Sequence, residues 1–201
     1  LITKWYKYNM SGLAKKNLGS AGELKVFSAP ELIKKFGHRT AIMRLVQKGE
    51  LVALGAGFYA TNAIDPWVAL VHVVAKYYPR AVISGVSALF IHGLSDILTD
   101  KVYIDVPSGM RLRNRLIQTR RIVKSRMVGV QTLSYHGADI RIYDVERSLA
   151  DAYRIDRYAL FYKAFKRYMK KYKPNPDRIQ QYDRLLGTKV LSALRQEFAD
   201  E

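Results

Sequence analysis

Three side chains carry the clearest chemical signal in this chain. Thr40, Arg44 and Gln47 recur at i, i+4 and i+7, so on a helix they share one face. Their types match base-pair edges: Arg pairs with guanine O6 and N7, Gln with adenine N6 and N7, and Thr meets a base edge or a thymine methyl. Ile42, Leu45 and Val46 fall on the opposite face, which a core would take. His38 and Arg39 stand where such a helix begins and first meets bases and phosphates, and Lys48 borders its polar face. Ser28 caps the preceding helix, whose N-terminal amides could hold a backbone phosphate. Arg111, Arg113 and Arg115 alternate, so an extended segment projects all three to one side, toward phosphates, an acidic protein surface or solvent.

Other constellations read as structural. Ser84, Ser87 and His92 do not sit in a G-x-S-x-G elbow, and the spacing of Ser87 and His92 points them apart; a strand-to-helix turn with serine caps is expected. Asp144 reads as an N-cap, and Arg147, Asp151 and Arg154 as ion pairs at helical spacing, so Asp144, Glu146 and Asp151 are not expected to hold a metal. His38, His72, His92 and His136 have no carboxylate at ligand spacing, and His72 is expected as a hydrogen-bonded core residue. No cofactor is expected, and the chain reads as a non-enzyme.

Charge sets the partner class. Lys and Arg total 34 against 17 Asp and Glu, a net +17 in 201 residues, which favours polyanions by counterion release. The charge is blocked: no acid occurs from Val106 to Ala138, nor from Arg157 to Pro176, where six lysines and arginines lie between Lys163 and Lys173. With 49% apolar residues the chain can bury a core, and without cysteine it suits a reducing cytosol. No apolar run is long enough to span a membrane, so no membrane partner is expected.

The elements that must position these residues follow from local signals. A helix around Ser11–Leu18 would open the head. Ser28, Pro30 and Glu31 form a capping-box start, Leu32, Ile33 and Phe36 give an apolar face, and Gly37 stops the helix. A second helix runs over Thr40–Lys48. Leu51–Leu54 and Phe58–Ala60 read as two strands around the charge-poor turn Gly55-Ala56-Gly57, giving the order of a winged helix-turn-helix. Asp65-Pro66 starts a helix apolar on nearly every side, hence one buried between layers. Beyond it the pattern predicts strands at Ala81–Ser84, Lys101–Val106, Arg120–Lys124, Val130–Tyr135 and Asp139–Tyr143. Helices are predicted at Val86–His92, 144–154, Tyr158–Tyr172, Asp177–Leu185 and Thr188–Glu197. The fold class is α+β: a winged helix-turn-helix over residues 1–63, then a mixed α/β C-terminal domain over residues 64–201.

The ordered blocks Phe27–Thr61, DPWVAL from Asp65, AVISGVSALFIHGL from Ala81 and YDVERSLADAYR from Tyr143 resemble AbiEi-type antitoxins, transcriptional regulators of viral defence systems. That resemblance covers most of residues 27–154. It implies a cytoplasmic, nucleoid-associated bacterial repressor that binds inverted repeats in its own promoter as double-stranded DNA. It also implies a cognate nucleotidyltransferase-like toxin as functional partner, neutralised without a stable complex, in phage defence by abortive infection. The alternative is an interaction protein whose basic C-terminal domain binds a toxin or RNA without reading DNA sequence. A nuclease using Asp144 or Asp151 is the third class.

Overall fold

A computed structural model describes residues 23–61 and 65–199, and among them the fold is α+β, with eight α-helices and two β-sheets. The helix expected over residues 11–18 lies outside the described residues.

The first sheet contains β1 (Lys25–Ser28), β2 (Val52–Ala53) and β3 (Phe58–Thr61), antiparallel throughout in the order β1-β3-β2. Between β1 and β2 lie α1 (Ala29–Phe36) and α2 (Arg39–Gln47). The capping box forms: Glu31 N–H donates to Ser28 Oγ, and Ser28 N–H donates to the Glu31 carboxylate at 2.7 Å. Gly37 ends α1 at φ 82°, a conformation that suits glycine. Leu32 of α1 and Ile42 of α2 join Phe27, Leu51 and Tyr59 in a small core. Ile33, expected on the apolar face, is 39% exposed, because Leu32 and Phe36 already occupy the inward line and the next position turns about 100° away.

The second sheet runs β6-β5-β4-β8-β7, from β4 (Val82–Ile83), β5 (Val102–Pro107), β6 (Ile117–Ile122), β7 (Val130–Tyr135) and β8 (Ala138–Tyr143). The pairs β4–β8 and β5–β6 are parallel; β4–β5 and β7–β8 are antiparallel. Helix α3 (Pro66–Tyr77) starts where Trp67 N–H donates to Asp65 at 2.8 Å. It packs between β1 and β8, with every residue from Trp67 to Val74 buried, as its all-round apolar pattern predicts. One continuous core joins Val26, Leu54 and Ala60 of the head to α3 and to Ile104 and Ile142 of the second sheet.

Next to the sheet lie α4 (Gly85–Ile91) and α5 (Val145–Ile155). A π-helical turn (Arg157–Phe161), α6 (Tyr162–Lys171), α7 (Pro176–Leu186) and α8 (Val190–Ala199) follow. Leu89, Leu149, Phe165, Tyr168 and Ile179 anchor a second core there. Two expectations are corrected. β6 begins at Ile117 rather than Arg120, because parallel pairing to β5 sets Ile117 opposite Val102 and Arg120 opposite Asp105. The span expected as a single helix over Tyr158–Tyr172 opens as the π-helical turn and is α-helical only from Tyr162 to Lys171.

Candidate nucleic-acid interface

Helix α2 presents Thr40, Arg44 and Gln47 to solvent, while Ile42 on its other side is fully buried. His38 occupies the N-cap in extended backbone and is exposed, with no side-chain bond to the helix; Arg39 and Lys48 are exposed as well. Among the described residues, none of Arg39, Arg44 or Lys48 is in an ion pair. All three side chains are exposed to solvent.

Ser28 is placed differently. Its amide and hydroxyl both engage the Glu31 carboxylate, and the Ala29 amide donates to the Gly57 carbonyl at 2.7 Å. Pro30 has no N–H, and Glu31's own amide goes to Ser28. The first-turn donors are therefore used within the fold, and a carboxylate stands over them. A phosphate would meet a negative charge there, so the expected anion role of Ser28 is corrected to a capping role.

Glu31 also fastens the head to α3. It forms an ion pair with Lys76 at 3.2 Å and accepts a hydrogen bond from the Tyr77 hydroxyl, while Lys76 Nζ donates to the Val26 carbonyl at 2.9 Å. Burial opposes its ionisation. The hydrogen bonds from Tyr77, Ser28 and Lys76, with the Lys76 charge, outweigh that and lower its pKa to about 2. The Phe58 ring packs against Tyr77 with centroids 5.0 Å apart.

Arg111, Arg113 and Arg115 are all exposed, and between and around them Met110, Leu112 and Leu116 pack on the core. The segment is not a strand: Arg115 lies in a turn closed by Ile117 N–H donating to the Asn114 carbonyl at 3.2 Å, so what the three arginines share is exposure at alternate positions. Asn114 ties it to the β2–β3 turn: its Nδ2 donates to the Leu54 carbonyl at 3.3 Å. Its Oδ1 lies 3.3 Å from where a Cβ on Gly55 would stand, and Gly55 has φ 80°. The uncharged turn at Leu54–Gly57 thus contacts, through Asn114, the segment that carries the three arginines. The sequence shows both features but not their contact, which joins residues far apart in the chain.

The chain is similar in fold to the crystal structure of the RV2827C protein from Mycobacterium tuberculosis. The two share 17% identity with a TM-score of 0.56, over 83% of this chain and 68% of that one. No protein-family model and no curated protein matches. At this identity the likeness is one of fold.

The other candidate groups form structural networks. Asp105 on β5 and Asp151 on α5 are fully buried and share Arg120, at 2.7 and 3.1 Å. Burial alone would lower the Arg120 pKa, but the two carboxylates raise it, so the guanidinium stays charged. Arg147 and Arg154 add to Asp151 at 3.5 and 3.6 Å, as their helical spacing predicts. Asp105 also accepts from the Tyr143 hydroxyl at 3.0 Å and from Ser84 Oγ at 3.0 Å. Sequence reasoning missed Asp105; an acid between Ile104 and Val106 in a strand signals a buried carboxylate that needs a cation. Serine caps on α4 are corrected: Ser84 sits at the N-cap position but its hydroxyl goes to Asp105, and Ser87 Oγ accepts from Tyr103 N–H at 2.9 Å.

Asp144 caps α5 through Arg147 N–H at 2.8 Å and accepts from the Tyr182 hydroxyl at 2.5 Å, while Glu146 accepts from Tyr168. No group of three or more His, Asp or Glu side chains is placed to hold a metal among the described residues. His92 Nε2 donates to the Tyr143 carbonyl at 2.7 Å, away from Ser87. His72 is buried and hydrogen-bonds the Tyr135 backbone, as expected of a core histidine, while its Nε2 has no partner among the described residues. No helix is long and apolar enough to cross a membrane among the described residues.

Proposed function

We propose that residues 1–63 are a winged helix-turn-helix DNA-binding domain and that the chain is a sequence-specific repressor rather than an enzyme. Helix α2 enters the major groove of double-stranded DNA, with Thr40, Arg44 and Gln47 on base edges. His38, Arg39 and Lys48 meet the flanking backbone. The β2–β3 hairpin is the wing, and Arg111, Arg113 and Arg115 provide the phosphate contacts that its uncharged tip lacks. The observation that carries this reading is the exposed polar face of α2, with no ion pair among the described residues, backed by buried Ile42 on a molecule of net charge +17.

The resemblance to AbiEi-type antitoxins extends the proposal. The chain represses its own promoter at inverted repeats, and its C-terminal domain, residues 64–201, counters a nucleotidyltransferase-like toxin in phage defence by abortive infection. Its place is then the bacterial cytoplasm, on the nucleoid. A reporter fused to the gene's own upstream region tests this. Supplying the chain in trans represses the reporter, and Arg44→Ala relieves repression at equal protein level. A reporter indifferent to the wild-type chain contradicts autorepression. Growth rescue on co-expression with a neighbouring nucleotidyltransferase-like gene tests the toxin arm separately.

A further inference from the structure

Helix α6 has a second face that the core does not use. Ala164, Phe165 and Tyr168 turn inward and are buried, while Tyr162, Lys163, Lys166 and Lys170 are exposed. The spacing of four sets Tyr162, Lys166 and Lys170 along one line, with Lys163 beside it. The π-helical turn ahead of α6 adds Tyr158, a residue 78% exposed against 43% for Tyr162. The Arg157 guanidinium lies 5.8 Å from the Tyr158 ring centroid. The local acid, Asp156, is spent on the amides of Tyr158 and Ala159 at 3.0 and 2.9 Å.

A solvated helix face ordinarily mixes both signs of charge and keeps aromatic rings out of water. This one carries cations with two open rings. Duplex DNA offers phosphates to such a face but keeps its bases stacked inside. A single strand offers phosphates and open base faces together. We infer that this face binds single-stranded nucleic acid, with bases stacked on Tyr158 and Tyr162 and phosphates held by Lys163, Lys166 and Lys170. The site is separate from α2 and stands whether or not α2 reads DNA.

Fluorescence anisotropy of the full chain with labelled oligouridylate, oligothymidylate and a random duplex tests it. Tyr158→Ala/Tyr162→Ala is expected to weaken both single strands about tenfold or more, to leave the duplex unchanged, and to be rescued by the Phe pair, which keeps the rings. Arg44→Ala leaves single-strand binding intact. Tighter binding of oligouridylate than oligothymidylate identifies the natural strand as RNA, and the reverse identifies it as DNA. An Ala pair that folds, by its thermal melt, yet binds single strands like wild type overturns the inference. So does an equal loss on the duplex, which would make the face a general phosphate surface.

Discussion

At the scale of residues, the proposed reading of DNA rests most on Arg44. Bidentate pairing with guanine is worth about 1–3 kcal/mol of discrimination. Arg44→Ala is therefore expected to cost that much on the specific site, little on random DNA, and to relax base preference at one position; competition titrations against single-base variants check it. Equal losses on specific and random DNA would reduce Arg44 to a phosphate contact. The buried histidines make a different prediction. Burial lowers the pKa of both His72 and His92, despite opposing hydrogen bonds to the Tyr135 and Tyr143 backbones. The unfolded chain thus takes up protons below about pH 6.5 that the folded chain refuses. Stability is fully present above that value and declines as pH falls through the window below it. The melting temperature should drop on acidification from about pH 7.5 to about 5.5, with the drop reduced in His72→Gln/His92→Gln; a flat profile in the wild type would contradict it.

At the scale of elements, the proposal sets the phosphate contacts of Arg111, Arg113 and Arg115 beside the hairpin turn that Asn114 touches. If Arg111, Arg113 and Arg115 each neutralise a phosphate, replacing all three by Ala lowers the slope of log K against log salt by about one unit per lost contact. Base preference should stay intact, and an unchanged slope would leave the three arginines as solvated charges. The elements also explain what was legible beforehand. The capping box at Ser28 and Glu31, the Gly37 stop, the Gly55–Gly57 turn and the all-round burial of α3 are signalled within a few residues, and each forms. β1 was not legible: Lys25-Val26-Phe27-Ser28 lacks a strand's alternation and becomes one only by pairing with β3, Lys25 opposite Thr61. Likewise, Asp105 and Arg120 meet only through the β5–β6 register. The outward face of α2 could be read from periodicity, whereas the dead-ended α1 N-terminus could not, because the signal that announces a cap also announces an anion site.

At the scale of the whole molecule, the head is fixed rather than tethered. A continuous core runs from Val26 and Leu54 through α3 into the second sheet, and Glu31, Lys76 and Tyr77 close the joint from outside. That shared core and the Asn114 contact with Leu54 hold the first sheet and the segment carrying Arg111, Arg113 and Arg115 in one fold, which the proposed recognition of a set site requires. A net charge of +17 favours polyanions of any sequence at low salt, so affinity alone would say nothing about reading. The decisive measurement is a gel-shift titration of the full chain on its own upstream region against scrambled duplex of equal length, across a salt series. The account predicts a preference for the upstream region that persists at moderate salt while binding to the scrambled duplex falls away. Equal binding to both that disappears together as salt rises would contradict it.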